Sequence, residues 1–219
     1  VFTDRADAGR RLGELIAVRL GDRSASIGAA KAVVLGLPRG GVPVAALVAL
    51  ALGAPLDVLV VRKVGSPWQP ELALGAVGEK GAVSLNDALV SASGVGQDEL
   101  DTLILRASRD VDRIAAELRP TAGLPELGDR VVIVVDDGVA TGATARAAAA
   151  ILGGCLPRLV ILATPVGART TCADLLSCFD EVMCLEMPPH FSSVSQHYER
   201  FGQVSIDEVR RLLVGAATG

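Results

Sequence analysis

Two adjacent carboxylates, Asp136 and Asp137, end the apolar run that opens "VVIVVDDGVATGATARAAAAIL" and stand before a loop of Gly and Thr. Such a pair accepts hydrogen bonds from vicinal hydroxyls or holds a divalent cation. Gly138 and Gly142 allow a tight turn, and Thr141 and Thr144 place hydroxyls where a helix over 142–153 is predicted to begin. Unsatisfied N–H groups at a helix start favour an anion, most naturally a phosphate. Carboxylates repel a phosphate set directly on them, so sugar hydroxyls belong on the acidic side and the phosphate further along the loop. A diol acceptor beside a phosphate cradle describes a ribose 5-phosphate.

A second turn of the same kind occurs at "PRGGVPVAA", where Gly40 and Gly41 precede a predicted helix and Arg39 adds a forked positive charge suited to phosphate oxygens. Arg62 and Lys63 end the next apolar run, so three cations are expected on the edge that carries the acidic pair. Other phosphate chemistries fit less well. Gly-Lys-Ser/Thr and G-x-G-x-x-G are both missing, and the strand after the acidic pair ends "ILATPVG", without the second Asp that a phospho-receiver needs.

The elements that must position these residues alternate. Strands are predicted at 31–37, 56–62, 130–136, 158–163 and 181–185, and helices near 4–20, 42–52, 97–118, 142–153, 168–177 and 205–213. That order predicts an α/β chain with a mostly parallel central sheet covered by helices on both faces. In such sheets ligands bind beyond the carboxyl ends of the strands, where Asp136 and Asp137 would emerge. Leu100, Leu103, Ile104, Ala107, Val111, Ile114, Ala115 and Leu118 keep a helical repeat until Pro120 stops it. The Pro- and Gly-rich stretch before that helix, with a weak hairpin-like pattern, reads as a mobile functional loop, partly ordered, over 64–85.

Composition narrows the classes. With 219 residues, half of them hydrophobic, one domain over 1–219 is expected, with its core at about 30–185, a mobile loop and helical insertion at about 64–120 and a hood at about 185–203. A net charge of −4 argues against a general nucleic-acid binder. Four Cys without a C-x-x-C pair, and two His, suggest ordinary buried thiols in a reduced, cytoplasmic setting rather than a zinc site. Charges near the N-terminus leave no signal peptide visible. The apolar segment 40–61 approaches the length of a membrane span, but Gly53, Ala54 and Pro55 cut it and Asp57 lies in its second half, so a helix followed by a strand is expected instead.

With these pieces in view, "VVIVVDDGVATGAT" closely resembles the phosphoribosyl-pyrophosphate (PRPP) signature of the type I phosphoribosyltransferases, and "LPRGGVPVA" resembles their pyrophosphate loop. The order of the pieces agrees over about residues 30 to 165. "VRKVGSPWQPELALGAVGE" and "SSVSQHYERFGQVSIDEV" look like a small bacterial subgroup of that family. The resemblance implies that Asp136 and Asp137 are the catalytic pair and bind the ribose hydroxyls. It implies that Val139, Ala140, Thr141, Gly142, Ala143 and Thr144 hold the 5-phosphate by backbone amides and the two Thr hydroxyls. Arg39 and Gly40, where members often show a strained peptide, would bind pyrophosphate, with Arg62 assisting and Lys63 a further candidate.

Mg²⁺ held mainly through PRPP oxygens, with Asp136 and Asp137 as further candidate ligands, would complete the site and offset the leaving-group charge. The implied reaction is displacement of pyrophosphate at the anomeric carbon by a nitrogen nucleophile, a nucleobase or related compound, in a homodimer. Acid-base help from the loop would come from Lys63, Lys80 or Glu71. The hood, "LEMPPHFSSVSQHYERFGQ", carries Phe191, Tyr198 and Phe201 as candidates to stack on a base. A sensor of PRPP or nucleotides that keeps the signature without transfer is the alternative, and an Ala-rich scaffold protein with no ligand is a third.

Overall fold

The computed structural model describes residues 1–21, 32–69, 73–119 and 124–217. Five parallel strands, β1 (Ala32–Gly36), β2 (Leu56–Val58), β6 (Val131–Val135), β7 (Leu159–Val166) and β8 (Glu181–Glu186), lie in the order β2-β1-β6-β7-β8. A second sheet of three antiparallel strands holds β3 (Val61–Gly65), β4 (Ala73–Gly78) and β5 (Val83–Leu85), in the order β3-β4-β5. The helices are α1 (Arg5–Gly21), α2 (Gly41–Leu52), α3 (Asp87–Ser93), α4 (Gln97–Leu118), α5 (Ala143–Leu152), α6 (Arg169–Leu175) and α7 (Ile206–Ala217).

The central strands are apolar on both sides because both sides are covered. Val131, Ile133 and Val135 of β6 pack with Leu12, Ile16, Val44 and Val48 of α1 and α2. Val132 and Val134, pointing the other way, pack with Ala145, Ala148 and Ile151 of α5. All five β6 residues are fully buried, each stabilising the fold by ~1.5–3 kcal/mol relative to exposure. The Ala run of α5 has a matching cause. Ala147 and Ile151 share a core with Val61 of β3 and Ala76 of β4, so α5 lies between the two sheets and small side chains let both close on it. Because the chain passes from β1 outward to β2 and later returns to β6 on the other flank of β1, the sheet has its switch point between β1 and β6, where a crevice opens.

The expected strand at 56–62 is broken in two. β2 ends at Val58, and Arg119, just past α4, ties the break down. Its Nε lies 2.7 Å from the Asp57 carboxylate, its Nη2 pairs with Glu79 and donates to the Val58 carbonyl at 3.1 Å, and the Val60 amide donates to Glu79 at 3.3 Å. Arg62 and Lys63 consequently stand on β3 of the second sheet, not at the end of a parallel strand. Residues 64–85, expected to be partly ordered, contain β4 and β5 among the described residues, in keeping with the weak hairpin-like pattern.

The segment 40–61 forms α2 and β2, and no helix among the described residues is long and apolar enough to cross a membrane. All four cysteines are free, but Cys172 alone among them is buried and Cys178 is exposed, against the expectation of ordinary buried thiols.

Candidate active site

β6 delivers Asp136 and Asp137 to the crevice, both half-buried. The Asp136 amide donates to the Ala163 carbonyl at 3.2 Å, and the Asp137 amide donates to Asp136 Oδ1 at 2.9 Å. Burial pushes the Asp136 carboxyl well above the ordinary carboxylate range, and the charge of Asp137 adds to the shift. Burial also raises Asp137, opposed by the Arg5 guanidinium. Arg5 Nε and Nη2 both reach Asp137 Oδ2, at 2.8 and 2.7 Å.

The turn after the pair divides its amides. Val139 is buried, donates to the Val166 carbonyl at 2.9 Å and accepts from the Ala168 amide at 3.0 Å, so its N–H is committed to the fold. The expectation that all of 139–144 offer amides to a phosphate therefore fails at Val139, whose part is to anchor the turn. The N–H groups of Ala140, Thr141 and Gly142 make no hydrogen bond among the described residues. Thr171 holds the turn from outside, its hydroxyl donating to the Ala140 carbonyl at 2.8 Å. Gly142, at φ 74°, lets the chain enter α5, whose first amides, from Ala143 and Thr144, lack intrahelical partners. Thr144 faces the crevice, whereas Thr141 Oγ1 accepts from the Ala143 amide at 3.4 Å.

Across from it, residues 38–40 turn from β1 into α2, with a cis peptide between Pro38 and Arg39. The Gly41 amide donates to the Leu37 carbonyl at 3.0 Å, and the Leu37 amide to the Val135 carbonyl at 2.9 Å. Gly40 stands against the Asp137 carboxylate: a Cβ there would lie 2.7 Å from Asp137 Cγ. The two turns thus touch through a missing side chain. Between them is a cavity of about 430 Å³ whose walls include Arg39, Gly40, Asp136, Asp137 and Thr144, with Arg5 and residues 201–204 opposite. A smaller cavity of about 270 Å³ adjoins it at Pro38 and Arg39 and is bounded by Arg62 and Arg113.

Other expected residues lie apart. Lys63 lines a different groove with Thr141, Ala143 and Arg146, since alternation along β3 turns it away from Arg62. Lys80 is outside the cavity, donating to the Leu124 carbonyl at 3.1 Å, and Glu71 falls outside the described residues. Of the hood aromatics, Phe201 borders the cavity. Tyr198 is buried, its hydroxyl donating to the Asp137 carbonyl at 2.6 Å, and Phe191 stacks on His197 with ring centroids 5.5 Å apart. Tyr198 and Phe191 are therefore supports of the hood rather than platforms facing the cavity.

Arg5 and Arg113 were not expected at the site. For Arg5 a signal existed: it is in phase with Ala8, Leu12 and Ile16, the buried stripe of α1. A charge in register with an apolar stripe needs a buried partner, and Asp137 is that partner. Arg113 gave no such signal, being one charge among many on the solvent side of α4.

Comparison with known proteins gives the family. The family profile described as phosphoribosyl transferase domain matches residues 7–200. Proteins from two strains of Mycobacterium tuberculosis, CDC 1551/Oshkosh and H37Rv, each named "Putative phosphoribosyl transferase", are 44% identical over 95% of this chain. The chain spans 45% of their length. The crystal structure of TT1426 from Thermus thermophilus superposes with a TM-score of 0.87 at 38% identity, covering 98% of each chain. The chain belongs to the phosphoribosyl transferase domain family.

Proposed function

We propose that this chain transfers the 5-phosphoribosyl group of PRPP to a nitrogen nucleophile, a nucleobase or related compound, releasing pyrophosphate with the help of Mg²⁺. One observation carries the reading: the carboxylates of Asp136 and Asp137, Thr144 in the first turn of α5 and the Arg39–Gly40 turn line one cavity, and the turn that joins the carboxylates to Thr144 holds the unpartnered amides of residues 140–142. In this reading the 5-phosphate lies on those amides at the start of α5, where the helix end favours negative charge. The ribose hydroxyls donate to Asp136 and Asp137, and the pyrophosphate extends toward Arg39 and Arg62.

As the bond from the anomeric carbon to the pyrophosphate oxygen breaks and the bond to nitrogen forms, positive charge grows on the ribose ring and negative charge on the leaving group. The carboxylate pair faces the first and the arginines the second, so the chain works through position and field. Phe201, which lines the cavity, would shield the reacting end from water. Among the described residues no three His, Cys, Asp or Glu side chains gather as a metal cage, which suits an ion that takes most of its oxygens from the substrate. Asp136 and Asp137 would hold Mg²⁺ from the protein side, and the ion would neutralise the leaving group.

Thermal unfolding tests the donor assignment. PRPP with Mg²⁺ at a hundred times its Kd should stabilise the chain by ~2.7 kcal/mol. Failure of both PRPP and ribose 5-phosphate to raise Tm would contradict it. Pyrophosphate release, screened over nucleobases and small amines, then separates transfer from donor binding alone.

A further inference from the structure

Arg5 joins two walls of the cavity with one guanidinium. Its Nε and Nη2 hold Asp137 Oδ2, while Nη1 donates to the Gly202 carbonyl at 2.7 Å. Its Cζ lies 3.9 Å from the centre of the Phe201 ring, a cation–π contact. The side chain is 13% exposed and that of Asp137 14%. Both ends are fixed from outside the cavity. Asp4 Oδ1 accepts from the Ala6 and Asp7 amides at 3.0 and 2.9 Å, capping α1 so that Arg5 starts its first turn. Phe2 and Thr3 pair with the hood: the Phe2 amide donates to the His197 carbonyl at 2.8 Å and the Arg200 amide to the Thr3 carbonyl at 3.0 Å.

We propose that Arg5 is a positioning residue that couples occupancy of the donor carboxylates to the 201–204 segment closing the opposite wall. The proposal rests on the donor-site reading above. The guanidinium takes only Oδ2 of Asp137, so Oδ1 is left to a ribose hydroxyl. Any shift of that carboxylate on binding the sugar is passed by the same rigid plane to Gly202 and Phe201. A Lys at this position would keep the charge but, as a point donor, could not span both walls.

The test compares the wild-type chain with Arg5→Met, Arg5→Lys and Arg200→Ala. The last removes an exposed pair with Asp4, at 2.7 Å, outside the cavity. Calorimetric titration with Mg²⁺–PRPP, ribose 5-phosphate and pyrophosphate reads affinity, and mass spectrometry of tryptic cleavage after Arg200 reads closure. Arg5→Met should weaken PRPP and ribose 5-phosphate by about tenfold or more while leaving pyrophosphate unchanged. Arg5→Lys should recover most of that affinity, yet lose the slowing of cleavage after Arg200 that PRPP should produce in the wild-type chain. Arg200→Ala should bind all three ligands as the wild type does.

Unchanged sugar-phosphate binding in Arg5→Met, equal loss of all three ligands, or full protection in Arg5→Lys would overturn the proposal while leaving the donor site standing. If Arg5→Met does not fold, Arg5→Lys decides by its protection alone. A wild-type chain that binds neither PRPP nor ribose 5-phosphate would refute the donor reading and this proposal with it.

Discussion

Gly40→Ala separates two opposed effects at the contact between the turns. Gly40 has φ −64° and ψ −35°, a conformation Ala accepts, so reduced freedom of the unfolded chain would stabilise the variant by ~0.4–1 kcal/mol. The new methyl, however, would stand 2.7 Å from Asp137 Cγ, where unstrained carbon contacts lie at about 3.5–4.0 Å. The carboxylate must move by roughly 1 Å. It is held by Arg5 at 2.8 and 2.7 Å, and disrupting a largely buried ion pair costs ~3–5 kcal/mol. The steric term wins, leaving a net loss on the order of 2–4 kcal/mol, or about 5–15 °C in Tm for a chain of this size. Thermal unfolding without ligand measures it, and PRPP titration should show weakened binding in the same variant. A Tm equal to or above that of the wild-type chain, with unchanged PRPP affinity, would refute the claim that Asp137 is clamped between Gly40 and Arg5.

Arg39→Ala should weaken PRPP binding far more than ribose 5-phosphate binding, measured by calorimetry, because the proposed function sets the pyrophosphate at that arginine; equal losses would contradict that placement. Asp136→Asn should raise the Tm of the ligand-free chain at neutral pH while abolishing turnover. The folded pKa of Asp136 is raised, so the stability it gives below its unfolded pKa is lost as pH rises through the folded value, a loss the amide avoids. The advantage should accordingly vanish in acid, and a pH-independent difference in Tm would count against a desolvated carboxylate. Arg119→Met should destabilise the chain at neutral pH by ~3–5 kcal/mol, since it strands Asp57 and Glu79, whose side chains are 17% and 6% exposed. Burial already raises Asp57, so the loss should shrink as pH falls and that carboxyl becomes neutral; denaturant unfolding at two pH values would decide.

The central crevice was legible because its parts are local. A strand buried on both faces must be apolar throughout, and the change from Val135 to Asp136 marks where it leaves the sheet. The break after Val58 was not legible, since the apolar run continues through Val61 without Gly or Pro. What ends β2 is Arg119, some sixty residues later, and distant ion pairs leave no local pattern. That break moved Lys63 away from the crevice. The hood misled for a related reason: Phe191 and Tyr198 have residue types fit for stacking on a base, but Phe2 and His197 already occupy their rings. Val139 could not be told from its neighbours in the turn, because its committed amide depends on pairing with Val166 in the next strand.

A crystal structure of the chain with PRPP and Mg²⁺ tests the central claim most directly. The account predicts the 5-phosphate on the amides of residues 140–144, the ribose hydroxyls on Asp136 and Asp137, and the pyrophosphate between Arg39 and Arg62. A donor bound in the reverse sense, with pyrophosphate at the start of α5, or bound outside this crevice, would contradict it.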